Sequence, residues 1–158
     1  MAEFGPSRFE EEQPLLIAGL KEHYTAETMS RIPEQWQRFR PYIGNVPGQV
    51  DQKTYGVCYN ANAGEFDYLT GVAVSNTSQL PEGLSEFQVP AQKYAVFSHL
   101  EHISKIRDTI EAIGKDWLPT AAYEPTGTPA FFERYQNFNP ETGFGDTEIW
   151  VPITARAR

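Results

Sequence analysis

Tyr94-Ala95-Val96-Phe97-Ser98-His99-Leu100 decides the reading of this chain, because Ile17-Ala18-Gly19-Leu20-Lys21-Glu22-His23 runs through a similar pattern earlier. Two more pairs follow in the same order. Tyr55-Gly56-Val57-Cys58-Tyr59 resembles Phe131-Phe132-Glu133-Arg134-Tyr135, and Gly71-Val72-Ala73-Val74 resembles Trp150-Val151-Pro152-Ile153. The offsets fall at about 76–79 residues, a spread that small loop insertions explain. Such self-similarity predicts one supersecondary unit used twice, the approximate repeats being 9–75 and 84–154 of a single domain over 1–158. A unit of this kind cannot bury its apolar face alone, and the seam between two copies is a natural place for a concave ligand site.

Working outward, each half reads as long strand, helix, then two strands. The first strand is expected from about Phe9 to Tyr24, with Pro14 at a bend or edge, and its counterpart from about Leu84 to His99. Ser30 is the expected N-cap of the first helix, Pro33 fits its first turn, and Ile32, Trp36, Phe39 and Ile43 form its apolar stripe. Pro41 should end it. Lys53–Asn60 and Phe66–Ser75 are strands joined by a turn at Asn62-Ala63-Gly64. The second helix carries Ile103, Ile106, Ile110, Ile113 and Trp117 on one stripe, ended by Pro119. Phe131–Phe138 and Glu148–Thr154 close the chain. The expected fold is α+β: duplicated β-α-β-β units forming an antiparallel sheet, with two main helices packed on it.

Composition bounds the function. The 158 residues are 40% hydrophobic and 22% charged, with net charge −8, the profile of an ordinary globular protein. Acidity argues against direct nucleic-acid binding, which needs clustered Lys and Arg; the basic tail Arg156-Ala157-Arg158 reads as a solvated end. Cys58 is the single cysteine, which excludes an internal disulfide and a Cys-rich zinc site. No run reaches the roughly 20 apolar residues of a membrane span. The start lacks a signal-peptide pattern and reads as a loose terminus, so a cytoplasmic location is expected. No cofactor or metal is expected. His99 and His102 sit at a strand end and helix start, where capping or surface roles fit better than a metal site.

The segment Phe132-Glu133-Arg134-Tyr135, followed after a Gly-rich loop by Thr147-Glu148-Ile149-Trp150-Val151-Pro152-Ile153, resembles the closing signature of GyrI-like effector-binding domains. Lys93–His99 and Asp116-Trp117-Leu118-Pro119 fit the same pattern, so the resemblance runs from about Phe9 to Thr154. These are the ligand-binding domains of AraC-type and MerR-type multidrug regulators and also occur free-standing. The resemblance implies a pocket near a pseudo-twofold axis, lined by aromatic rings, where buried carboxylates meet cationic or amphiphilic small molecules. Without room for a helix-turn-helix domain, the chain looks like the stand-alone form, and a homodimer is possible.

Candidate ligand-binding residues are Glu133, Glu148, Trp150, Tyr94, Tyr68, Tyr59, Tyr135 and Phe131. Strand alternation groups Phe131, Glu133 and Tyr135 on one face, and Glu148, Trp150 and Pro152 on one face of the last strand. A carboxylate on an apolar face is costly unless partnered. A bound cation would supply that partner, with cation–π help from rings; Arg134, Lys53 or a tyrosine hydroxyl would be the internal alternative. Eight tyrosines suit flat amphipathic ligands, although sheets use Tyr freely. Trp36 and Trp117 read as core.

The leading expectation is therefore a binding protein for hydrophobic, cationic small molecules. A second is hydrolysis of cyclopropane-bearing electrophilic metabolites, with Glu133 or Glu148 as general base, as the resemblance implies for some members. No nucleophile elbow or phosphate-binding glycine loop supports other chemistries. A third is a protein-interaction role like that of gyrase-inhibitor relatives, with the acidic surface facing a basic partner.

Overall fold

A computed structural model describes residues 5–127, 129–139 and 141–156. The expected order appears twice. In the first half, β2 (Leu15–Tyr24) leads to α1 (Ile32–Phe39), β3 (Gln49–Asn62) and β4 (Glu65–Val74); in the second, β6 (Gln92–His99) leads to α2 (Ile106–Ala112), β8 (Phe131–Asn139) and β9 (Phe144–Ala155). Short strands β1 (Arg8–Glu12), β5 (Ser85–Val89) and β7 (Tyr123–Pro125) complete a nine-stranded sheet in the order β1-β6-β9-β8-β3-β4-β2-β5, with β7 on β9. Every ladder is antiparallel. Sequence periodicity missed β7, which is too short to show one.

The two long strands expected from sequence are each broken at a proline. β1 and β2 are separated by Gln13-Pro14, and β5 and β6 by Pro90-Ala91. Yet β1 and β5 lie at opposite edges of the strand order. Two residues span at most about 10 Å, so the sheet must curl until its edges meet. The ladders show how it closes: Arg8↔Val96 through Glu12↔Gln92 continues in one register as Leu15↔Val89 through Gly19↔Ser85. Carried through the gap, that register sets Pro14 opposite Pro90. Neither proline has an N–H to donate, so the ladder is interrupted where the chains bend.

Closure gives the sheet an inner and an outer face. The inner core joins both halves: Ile17, Tyr55, Val57, Leu69, Val89, Tyr94, Val96, Phe132 and Trp150 pack together. The outer face carries the helices. Phe39 of α1 packs on Ala18, Val72 and Val74, while Ile106, Ile110 and Ile113 pack on Phe97, Ile149 and Ile153. Helix ends differ in detail from expectation. Ser30 lies in a 3-10 turn, and the N-cap of α1 is Arg31, without a side-chain cap bond. Pro33 and Pro41 act as expected, and the second helix runs on through a π turn, Ile113–Trp117, to Pro119. His102 caps the turn before α2 by accepting from Ser104 N, whereas His99 is buried, its ring nitrogens bonded to Thr109 Oγ1 and the His102 carbonyl.

Arg156 is tied down: its guanidinium donates to the carbonyls of Leu118, Ala121 and Tyr123. Arg156 is nonetheless exposed, so the solvated end read from sequence is anchored there and not buried; Ala157 and Arg158 lie outside the described residues, as do Met1–Phe4 of the expected loose start. Among the described residues no helix is long and apolar enough to cross a membrane.

Candidate functional site

β3 and β8 pair at the centre of the sheet, where the two halves meet, through Thr54↔Tyr135, Gly56↔Glu133 and Cys58↔Phe131. The ladders of the halves superpose: Ala18↔Val72 corresponds to Ala95↔Val151, and Tyr55↔Gly71 to Phe132↔Trp150. On that correspondence Gly56 is the structural equivalent of Glu133, one position away from the match read in the sequence. The pseudo-twofold axis therefore passes between these two residues, and only one of them carries a side chain.

Glu133 points to the outer face, between the helices, with 6% of its surface exposed. The Tyr68 hydroxyl donates to its Oε1 at 2.6 Å and the Tyr135 hydroxyl to the same atom at 2.7 Å. Trp36 Nε1 of α1 in turn donates to the Tyr68 hydroxyl at 3.1 Å, and its ring meets Tyr135 edge-on at 5.3 Å. Gln35, fully buried beside Trp36, donates to the Tyr68 carbonyl and accepts from the Tyr24 hydroxyl. Among the described residues, no Lys, Arg or His forms an ion pair with Glu133.

Gly56 is what makes this arrangement possible. A Cβ built there would overlap the Tyr68 hydroxyl and come within 2.6 Å of Glu133 Oε1. A glycine inside a Tyr- and Val-rich strand is a signal of such close approach, and it was available in the sequence. Trp36 was also legible only in part, since a helical stripe reveals its face but not the bond made by its indole N–H.

Burial pushes the Glu133 carboxyl above its ordinary value, and the two phenol hydrogen bonds only partly offset this. The Tyr68 and Tyr135 hydroxyls are themselves raised well above the usual range, by burial first and then by Glu133, so they stay protonated as donors. Cys58, on the same face, is pushed up to about 12 by burial with Glu133 adding to it, which leaves an unreactive thiol.

Beside this cluster an apolar cleft of about 330 Å³ runs under α2 and its π turn, lined in part by Ile110, Ile113, Ala130, Phe131, Ile149 and Val151. Two of those residues border Glu133. Ile149 is its cross-strand partner on β9, and Phe131 precedes it by two on the same face of β8.

Glu148 is placed elsewhere. Its ladder partner is Arg134, and both point to the inner face, away from Glu133. Arg8 donates to Glu148 Oε2 at 2.6 Å, Arg134 to Oε1 at 2.8 Å and Trp150 Nε1 to Oε1 at 3.1 Å. Burial pushes this carboxyl up, but the Arg8 and Trp150 hydrogen bonds and the two guanidiniums outweigh it and hold it below its ordinary value. Trp150 stacks on Phe132 and meets Tyr94 edge-on, with Arg134 4.4 Å above its ring. Tyr59 packs on Phe87 in the same inner core. Of the eight residues expected to converge, then, Glu133, Tyr68, Tyr135 and Phe131 share the outer face, while Glu148, Trp150, Tyr94 and Tyr59 belong to the inner one. A common floor formed by both glutamates is ruled out by this register.

The model of the GyrI-like small molecule binding domain matches residues 6–154. The transcriptional regulator BrlR of Pseudomonas aeruginosa is 32% identical over 149 residues, 93% of this chain. The chain spans 55% of that curated relative's length. Among solved structures, SAV2435 bound to tetraphenylphosphonium superposes with a TM-score of 0.77 at 21% identity, covering 93% of both chains. A protein from Staphylococcus aureus MU50 gives 0.70 at 19% identity, over 98% of this chain and 100% of that one. The EcmrR C-terminal domain gives 0.67 at 14%, over 94% and 97%. At these identities the structures establish likeness of fold.

Proposed function

The chain belongs to the GyrI-like small molecule binding domains, and from that premise we propose that it takes up hydrophobic cations against Glu133 on the outer face. The observation that carries this reading is a carboxylate buried among rings, held by two phenols and by no basic group among the described residues. An ionised group in such surroundings is expensive without a counter-charge. A lipophilic cation supplies that charge and brings apolar surface to match the rings. Trp36, Tyr68, Tyr135 and Phe131 are the proposed aromatic contacts, each worth about 0.5–2 kcal/mol as a cation–π partner. The cleft under α2 is the proposed approach, with the Phe131 ring turning aside to let the guest reach Glu133.

Two features support a cation over a neutral ligand. The phenols are donors to Oε1, so they orient the carboxylate without neutralising it. The net charge of −8 also favours positive guests at a distance. The relative that binds tetraphenylphosphonium shares the fold, which makes that ion a sensible first probe. Calorimetric titration should give saturable binding in the micromolar range, lost in Glu133→Gln and kept in Glu148→Gln. No saturation by any of a panel of lipophilic cations would overturn the proposal.

A second reading keeps the same carboxylate as general base on a water, attacking a strained electrophilic ring. The upward shift of Glu133 favours it, since a base poised nearer neutrality is more effective. Turnover of a cyclopropane-bearing electrophile, abolished in Glu133→Gln, would decide for it; binding without turnover decides for the first.

A further inference from the structure

Resting on the proposed cation site, we infer that Gly56 is its specificity-determining partner: by leaving the symmetry-equivalent position empty it positions one carboxylate on the axis, and so limits the guest to a single positive charge. The geometry behind this is particular to the axis. Residues equivalent across a pseudo-twofold normally occupy separate places, but Gly56 and Glu133 face each other in the same ladder pair. Any side chain at 56 would compete for the space where the Tyr68 hydroxyl meets Glu133 Oε1. One acid opposite a bare glycine, with the Tyr68 hydroxyl filling the space between, is thus the packing solution the axis allows.

Among the described residues, the neighbourhood offers a second positive charge nothing to pair with. Facing Glu133 are Tyr68 from β4, Tyr135 from β8, Cys58 from β3 and, behind Tyr68, Tyr24 from β2. All three tyrosines and the thiol are held protonated and neutral by burial. α1 contributes Trp36 and Gln35, and the cleft wall under α2 contributes Ile110 and Ile113. Two charges held within one compact guest would leave one of them desolvated and unmatched, a cost that an apolar site cannot repay. A long bis-cation whose second charge stays in solvent escapes this limit.

The test uses two biaryl cations of nearly equal size, 1-methyl-4-phenylpyridinium with one charge and 1,1′-dimethyl-4,4′-bipyridinium with two. The intact protein should bind the first with 1:1 stoichiometry and the second at least about tenfold more weakly. In Gly56→Ala the displaced Tyr68 hydroxyl no longer supports Glu133, so monocation affinity should fall about tenfold. The pH at which binding is half lost should also move upward, because a hydrogen bond that favours the ionised carboxylate is gone. Tyr68→Phe removes that hydroxyl without adding bulk; it should show the same upward move and keeps the test open should Gly56→Ala fail to fold. Equal affinity for the two cations, or a binding profile unchanged in Tyr68→Phe, overturns the inference while leaving the cation site standing. Failure of the intact protein to bind the monocation while it binds tetraphenylphosphonium overturns the inference alone; failure with all three cations overturns both.

Discussion

Glu133 and Glu148 lie on adjacent strands, yet they are opposites in the face they take and in the charge that meets them. Glu148 faces the inner side, gripped by Arg8, Arg134 and the Trp150 indole, and its carboxyl sits below the ordinary value. Glu133 faces the helices, supported among the described residues by phenols alone, and is shifted upward. The first is a finished ion-pair cluster that joins β1, β8 and β9. The second is an acid without a counter-charge among the described residues. The contrast teaches that a buried acid becomes a candidate for function when the fold orients it but does not neutralise it.

The largest effect that could break this contrast is on binding. Glu133→Gln should lower affinity for tetraphenylphosphonium about 100-fold or more, since the one opposing charge is removed, while leaving thermal stability at neutral pH equal or higher. Equilibrium dialysis alongside a melting curve measures both. Next in size is stability. Glu148→Gln should cost roughly 1–3 kcal/mol, because Arg134 loses its ion-pair partner and Arg8 keeps only Glu10, with binding changed by less than about threefold; urea titration reads the first quantity. A binding loss in Glu148→Gln as large as in Glu133→Gln would erase the distinction.

Smaller effects sharpen it. Trp36→Phe keeps a ring but loses the donor to Tyr68, and should weaken cation binding by about three- to tenfold, consistent with one neutral hydrogen bond. The pH dependence of stability should carry opposite signs for the two acids. Glu148, lowered in the folded state, contributes stability that is present above the unfolded carboxylate value and fades as pH falls through its own lower one. Glu133, raised in the folded state, binds its proton more tightly when folded, so its contribution declines as pH rises from the unfolded value through its own higher one. Denaturation curves from acid to neutral pH should lose the first slope in Glu148→Gln and the second in Glu133→Gln.

Much of this was legible in the residues. The repeated β-α-β-β order, the apolar stripes of both helices and the hairpin at Ala63-Gly64 follow from periodicity and turn chemistry. Strand alternation correctly grouped Phe131, Glu133 and Tyr135. What alternation cannot supply is the parity between neighbouring strands: a shift of one residue sends every side chain to the other face. Only the ladder Arg134↔Glu148 shows that Glu148 shares its face with Arg134 and not with Glu133. The curling of the sheet was equally hidden, because Pro14 and Pro90 signal a bend without saying which strand lies across it. Gly56 was readable as a close approach, though its role depends on what stands opposite.

The most direct measurement is the carboxyl carbon shift of Glu133, followed by NMR in isotopically labelled protein through a pH titration with and without tetraphenylphosphonium. An ion pair at this group predicts a raised midpoint in the free protein that moves down when the cation is bound, with Glu148 unmoved. A Glu133 titration that is the same with and without saturating cation would contradict the account.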